Sequence, residues 1–401
     1  MDNDRNFFEI RDRIWQTLFY PPTSLFYDYP ADGKYLTEKL PTVEEIALQI
    51  PNPCGWGTGM EDSMLNAGNM LLASLNSYDI DPQERFAENA RQCFKGMELC
   101  ATVSDSIGFL ARSVSPADGK SYYINSSRDQ YTHFIYSAYR YYNHKLCSEG
   151  EKHSIRRILC NFAERAIKYV TPENNYDLMR ADGRKGQVIR MYGEVGPHEA
   201  YRLGMFYLGA WHVSGDEKYL NVYIKHREHM MNVTEKIIDF DRDWFSYALL
   251  QMQYSLRMCY ELEIDEKFKA RMLNVMQATA EYSRKYAAAV SEMVENNKIR
   301  FDLFNPQWRQ RDLKYVDFFA GYAYNVPSFD EDFMNYNFRP QRICGEGILI
   351  QYLCPNFIID AENIEVLKKL GKKVAANKIY SYGPIVLLDA YYSVLKQQSK
   401  K

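Results

Sequence analysis

SSRDQYTHFIYSAYRYY, residues 126–142, decides the fold class. Tyr131, Phe134, Ile135, Ala138, Tyr139 and Tyr142 recur at spacings of three and four, so one stripe of an α-helix is apolar and the rest is polar. Outward from it the same period returns. Residues 84–103 carry Phe86, Ala90, Cys93, Phe94, Met97 and Ala101, and residues 154–170 carry Ile158, Phe162, Ala166 and Val170. Read this way, the chain predicts helices over 6–19, 61–78, 83–103, 127–146, 152–170, 197–213, 216–232, 242–263, 265–295, 345–353, 361–377 and 382–397. Short turns such as Asp79-Ile80-Asp81-Pro82, Ser214-Gly215-Asp216 and Glu263-Ile264-Asp265 join most of them into antiparallel pairs. Strand signals are few: Ser121–Ile124 and Val188–Tyr192 each suit a short strand in a loop. Without a βα rhythm, a doubly wound sheet is excluded as the expectation. The expectation is an all-α chain, a ring of six helical hairpins formed by residues 1–401 as one domain.

Alternate helices share an opening that their partners lack. These openings read Gly57-Thr58-Gly59-Met60-Glu61-Asp62, Asn125-Ser126-Ser127-Arg128-Asp129-Gln130, Gly193-Glu194-Val195-Gly196-Pro197-His198-Glu199, Asp241-Arg242-Asp243-Trp244, Cys344-Gly345-Glu346-Gly347 and Tyr382-Gly383-Pro384. Each taken alone is ordinary capping chemistry. Their recurrence on alternate helices predicts an inner ring whose amino ends line one polar funnel. The stretch 298–342 has no clear helical period and many aromatic residues, among them Phe301, Phe304, Trp308 and Tyr315. It is expected to form a wall or lid over the funnel mouth.

Composition narrows the function. Forty-nine basic against 52 acidic residues give a net charge of −3, with no Lys/Arg run, so a nucleic-acid binder relying on a general basic field is not expected. No apolar stretch reaches the roughly 18 residues of a membrane span. The opening MDNDRNFFEIRDR lacks the apolar segment of a secretory signal, which fits a cytoplasmic protein, or a periplasmic one whose signal has been removed. The 8 cysteines are scattered, without CxxC spacing, and read as buried thiols; neither metal nor cofactor is expected. The 33 tyrosines supply flat rings with polar edges, which suit helix packing and also a cleft for a polar ligand.

The segments GWGTGMEDS (55–63), GKSYYINSSRDQYTHFIYSAYRYY (119–142) and GEVGPHEAYRLGMFYLGAWHVSGDEKYL (193–220) resemble bacterial glycoside hydrolases built on the (α/α)6 toroid. The unsaturated glucuronyl hydrolases and β-glucuronidase-like toroid enzymes are the most similar in style, over roughly residues 50–397. That resemblance implies an oligosaccharide substrate, of a kind that can carry a uronic acid, cleaved by carboxyl general acid/base chemistry. The candidate catalytic acids are Asp129, Glu61, Asp62, Glu194 and Glu346. Arg128 is expected to clamp a substrate carboxylate, with Trp56, His198, Asp243, Trp244 and Trp308 as further binding residues. Because neighbours on a helix point about 100° apart, only one of Glu61 and Asp62 is expected to face the funnel. His226 and His229, three apart on an outer helix, read as a surface pair. The alternatives are a polysaccharide lyase or sugar epimerase on the same ring, or a helical scaffold that binds sugar without cleaving it.

Overall fold

The computed structural model describes residues 2–31, 38–186, 189–318 and 322–399. Thirteen long helices carry the architecture: α1 (Asp2–Thr17), α2 (Ser63–Ile80), α3 (Glu84–Thr102), α4 (Arg128–Tyr142), α5 (Glu149–Tyr169), α6 (Arg202–Ser214), α7 (Glu217–Thr234), α8 (Ser246–Leu262), α9 (Glu266–Tyr282), α10 (Arg284–Glu295), α11 (Arg339–Leu353), α12 (Ala361–Ala375) and α13 (Gly383–Gln398). Helices α2, α4, α6, α8, α11 and α13 pack in that order, and α13 returns to α2, so the inner ring closes. The others form the outer ring, with α1 as the outer partner of α13. Phe7 on α1 stacks on Tyr391 of α13 with 3.8 Å between ring centroids, which ties the start of the chain to its end.

Local chemistry explains where the helices begin and stop. Ser127 accepts from the Gln130 amide at the start of α4, and Ser148 with Glu151 forms a capping box on α5. Asp216, Asp265 and Asp360 cap α7, α9 and α12. Gly215, at φ +71°, ends α6 in the left-handed region that glycine reaches without a Cβ penalty. Inner helices are buried on nearly every side; on α2 all residues from Ser63 to Ser77 are buried. Outer helices keep one apolar stripe inward and present charge outward.

The expected pairs are therefore present, with shifts at the ends. The helix read as 265–295 breaks at Ser283, whose hydroxyl donates to the carbonyls of Ala280 and Gly347. The helix read from 345 begins six residues earlier, at Arg339, so Gly345 and Gly347 lie inside it. They serve packing: a Cβ on Gly345 would stand 2.7 Å from the Val386 carbonyl of α13. The expected openings at 197 and 242 are turns, with helices starting at Arg202 and Ser246.

Strands are short. β1 (Phe19–Tyr20) pairs with β2 (Leu25–Phe26), and β3 (Leu313–Phe318) with β4 (Tyr322–Pro327), both antiparallel. Ser121–Ile124 is not a strand. Of the stretch 188–192, Val188 lies outside the described residues, and Arg190 forms an isolated bridge to Asp177. Within 298–342, β3 and β4 form a hairpin in which Val316 faces Tyr324, followed by a helical turn at Glu331–Phe333 and a π turn at Met334–Phe338 that runs into α11. No helix of the described residues is long and apolar enough to cross a membrane.

Candidate active site

A cavity of about 790 Å³ opens where the inner helices begin. Its wall combines the amino ends of α2, α4, α8 and α13, the middle of α11, and the segment that precedes α11. Glu61, Asp62, Asp129, Glu346, Trp56 and Trp244 line it. Glu61 and Glu346, 285 positions apart in the chain, thus share one hollow, because alternate helices start at the same end of the ring.

Both Glu61 and Asp62 face the cavity. The expectation that only one would do so assumed that they lie on a helix, whereas α2 starts at Ser63. Asp62 is held on three sides: Arg112 Nη2 at 3.1 Å and Gln130 Nε2 at 2.8 Å donate to its Oδ1, and the Tyr382 hydroxyl at 2.8 Å donates to its Oδ2. Glu61 accepts the Gly57 amide at 3.1 Å, while Arg112 Nη2 stays 3.9 Å away. Burial first, and then the Asp62 charge, push Glu61 up to about 7, against the pull of Arg112. Beneath them Asp28 accepts the amides of Glu61 and Asp62 at 2.7 and 3.1 Å and fixes the turn. Burial and the Asp62 and Glu61 charges drive Asp28 upward as well, opposed by those two amides.

Asp129 is the electrostatic opposite. Burial would raise it, but an ion pair with buried Arg202, helped by Arg128, holds it down at about 2. Glu346 sits in mid-helix, where Arg342 one turn earlier donates to Oε1 at 2.8 Å and Ser246 donates to Oε2 at 2.5 Å. Arg342 also reaches the Tyr382 hydroxyl at 3.4 Å, which links the Glu346 and Asp62 groups. At the mouth, Phe245 is 71% exposed and Tyr247 40%, and their rings stack 5.8 Å apart. Phe304, Phe329 and Phe333 face the same space from the stretch 298–342.

Five expected residues lie elsewhere. Glu194 is exposed and does not line the cavity; Glu199 is the acid that turns inward, onto Arg128. Arg128 is consumed by that ion pair and by the Arg190 carbonyl at 2.9 Å, so its guanidinium is not available as a clamp. His198 packs behind the wall, 5.3 Å from the Trp244 ring, and burial pushes it down to about 4, which leaves it neutral at pH 7. Asp243 points into solvent and pairs with Lys285. Trp308 is buried outside the cavity, with Nε1 donating to the Lys39 carbonyl at 2.7 Å, and so pins the stretch 298–342 to the N-terminal part of the chain.

Sequence reasoning missed Asp28, Arg112 and Arg342. Asp28 stands alone between Tyr27 and Tyr29 with no motif around it. Arg342 carried a readable signal, its spacing of four from Glu346, which needed the helix to be started at 339.

No protein-family model matches the chain, and no curated protein matches it. Among solved structures, one described as a glycoside hydrolase of family 76 (mannosidase) from Bacteroides thetaiotaomicron is similar in fold, with a TM-score of 0.50 and 10% identity over 100% of each chain. At that identity the likeness establishes the helical toroid and leaves the chemistry to the residues of the cavity.

Proposed function

We propose that this chain is a glycoside hydrolase that cleaves an oligosaccharide bound in the cavity. The observation that carries the reading is a pair of carboxyls with opposite electrostatics in one aromatic-lined hollow: Glu61 raised to about 7 and Asp129 held at about 2. Glycoside cleavage asks for such a division, a protonated acid at the leaving oxygen and an ionised carboxylate to activate water or attack the anomeric carbon. Glu61 takes the first role and Asp129 the second. Asp62, with donors on both oxygens, holds Arg112, Gln130 and Tyr382 in place around them. The solved toroid of similar fold is itself described as a mannosidase, which favours a neutral, manno-configured substrate as the first to try.

A uronic acid in the substrate would need a cation to meet it. Arg128 is taken by Glu199, so that task falls to Arg311 or to Arg339 at the start of α11. Against it stands the pairing of the other two cavity arginines, Arg112 with Asp62 and Arg342 with Glu346. We therefore favour the neutral sugar. The test is reducing-sugar release from neutral manno-oligosaccharides and from uronic-acid oligosaccharides by the wild type, Glu61→Gln and Asp129→Asn. Release from the neutral set, lost in both variants, is expected. No release from either set by the wild type would overturn the hydrolase reading.

A further inference from the structure

Seven residues make two helical turns, which return a side chain to the same face about 10.5 Å further along. From four cavity residues on or beside inner helices, that step leads from Asp62 to Asn69, from Asp129 to Tyr136, from Tyr247 to Tyr254 and from Tyr382 to Asp389. All four are buried, helical periodicity puts each two turns along from the cavity residue above it, and Asp389 lies close enough to Tyr136 and Tyr254 to act on both electrostatically. The Tyr136 and Tyr254 rings meet at 4.6 Å between centroids, and His133 lies 5.2 Å from Tyr254.

This tier is polar where a helical core is normally apolar. Among the described residues, Asn69 Oδ1, the Tyr254 hydroxyl and both carboxyl oxygens of Asp389 have no hydrogen-bond partner. Four such buried polar atoms in one tier are costly unless something small and hydrogen-bonding joins them. Buried water does this, typically with about three bonds per molecule to groups that would otherwise lack partners.

We propose that Asp389, Asn69 and Tyr254 hold an internal water site on the ring axis, directly beneath the candidate active site. Asp389 enters it as a donor: burial pushes its carboxyl up to about 8, so at neutral pH it carries a proton to give to water. The groups around it do not neutralise it. Tyr136 on α4, Tyr254 on α8 and Tyr352 on α11 share its surroundings, and the Lys396 charge pulls its carboxyl down by less than burial pushes it up. Lys396, on its own helix, is occupied by Asp79 and Asn76 of α2 at 2.6 and 2.9 Å. Arg11 of α1 lies beside Tyr392 instead.

The experiment joins a high-resolution crystal structure of the full chain, with and without a rubidium chloride soak, to thermal unfolding of the wild type, Asp389→Asn and Asp389→Leu from pH 5 to 8. Solvent peaks at hydrogen-bond distance from Asp389, lost in the Leu variant and without rubidium signal, are expected. The folded-state pKa lies above the unfolded one, so keeping the proton costs more as pH rises from about 4 to about 8. The advantage of Asp389→Asn in unfolding midpoint therefore grows steadily across that window. Rubidium anomalous density at Asp389 would make this a cation site and overturn the proposal. So would the absence of any peak there, or a difference between wild type and the Asn variant that does not change with pH.

Discussion

If Glu61 is the proton donor, its environment sets the pH range of the enzyme. At the ordinary glutamate value of 4.5, only about 1 molecule in 300 would carry the proton at pH 7; raised to about 7, roughly half do. The cavity thus increases the competent fraction about 150-fold, a shift equivalent to about 3 kcal/mol. The sign follows from the role: the donor must be protonated, so kcat/KM should be flat below pH 6 and fall about tenfold per unit above about 7. Glu61→Gln should lower kcat/KM on manno-oligosaccharides by about 10²- to 10⁴-fold and abolish that limb. Because the Asp62 charge is the second cause of the shift, Asp62→Asn should move the limb of its residual activity to lower pH. The assay is initial-rate reducing-sugar release between pH 4 and 9, with circular dichroism on each variant to show that it is folded. A limb that persists unchanged in Glu61→Gln, or activity within a few-fold of wild type, would refute the assignment.

Three further outcomes are expected. Arg202→Met leaves Asp129 without its main counter-charge, so an acid limb absent from the wild type should enter the pH 4–6 window, while the loss of stability stays at about 1 kcal/mol, read by urea unfolding, because the Asp129 side chain is 36% exposed and water screens it. Phe245→Ala removes an exposed ring at the mouth; KM for oligosaccharides of three or more units should rise several-fold, while the unfolding free energy stays within about 0.5 kcal/mol. Gly345→Ala drives a methyl against the Val386 carbonyl at 2.7 Å and should cost about 1–3 kcal/mol in chemical denaturation, because α11 and α13 must separate.

The helical ring was legible because its signal is local. Periodicity, caps and short turns such as Ser214-Gly215-Asp216 involve neighbours in the chain, and local sequence determines them. Glu61, Asp62 and Asp129 stand at the openings of alternate helices and share one cavity with Glu346, which reaches it from mid-helix, whereas Glu194 does not. Which of the other polar residues point into it was not legible. Arg128 and Asp129 are adjacent and oppositely charged, and instead of pairing with each other one pairs with Glu199 behind the wall and the other with Arg202 at the cavity. Only the packing of α4 against α6 chooses between them, since one helix turns consecutive side chains about 100° apart. Protonation lay further still from the sequence. Glu61 is near neutrality because burial and the adjacent Asp62 charge outweigh the pull of Arg112, and Asp129 is strongly acidic because of Arg202, 73 positions away; that burial and those pairings exist only once the ring has closed.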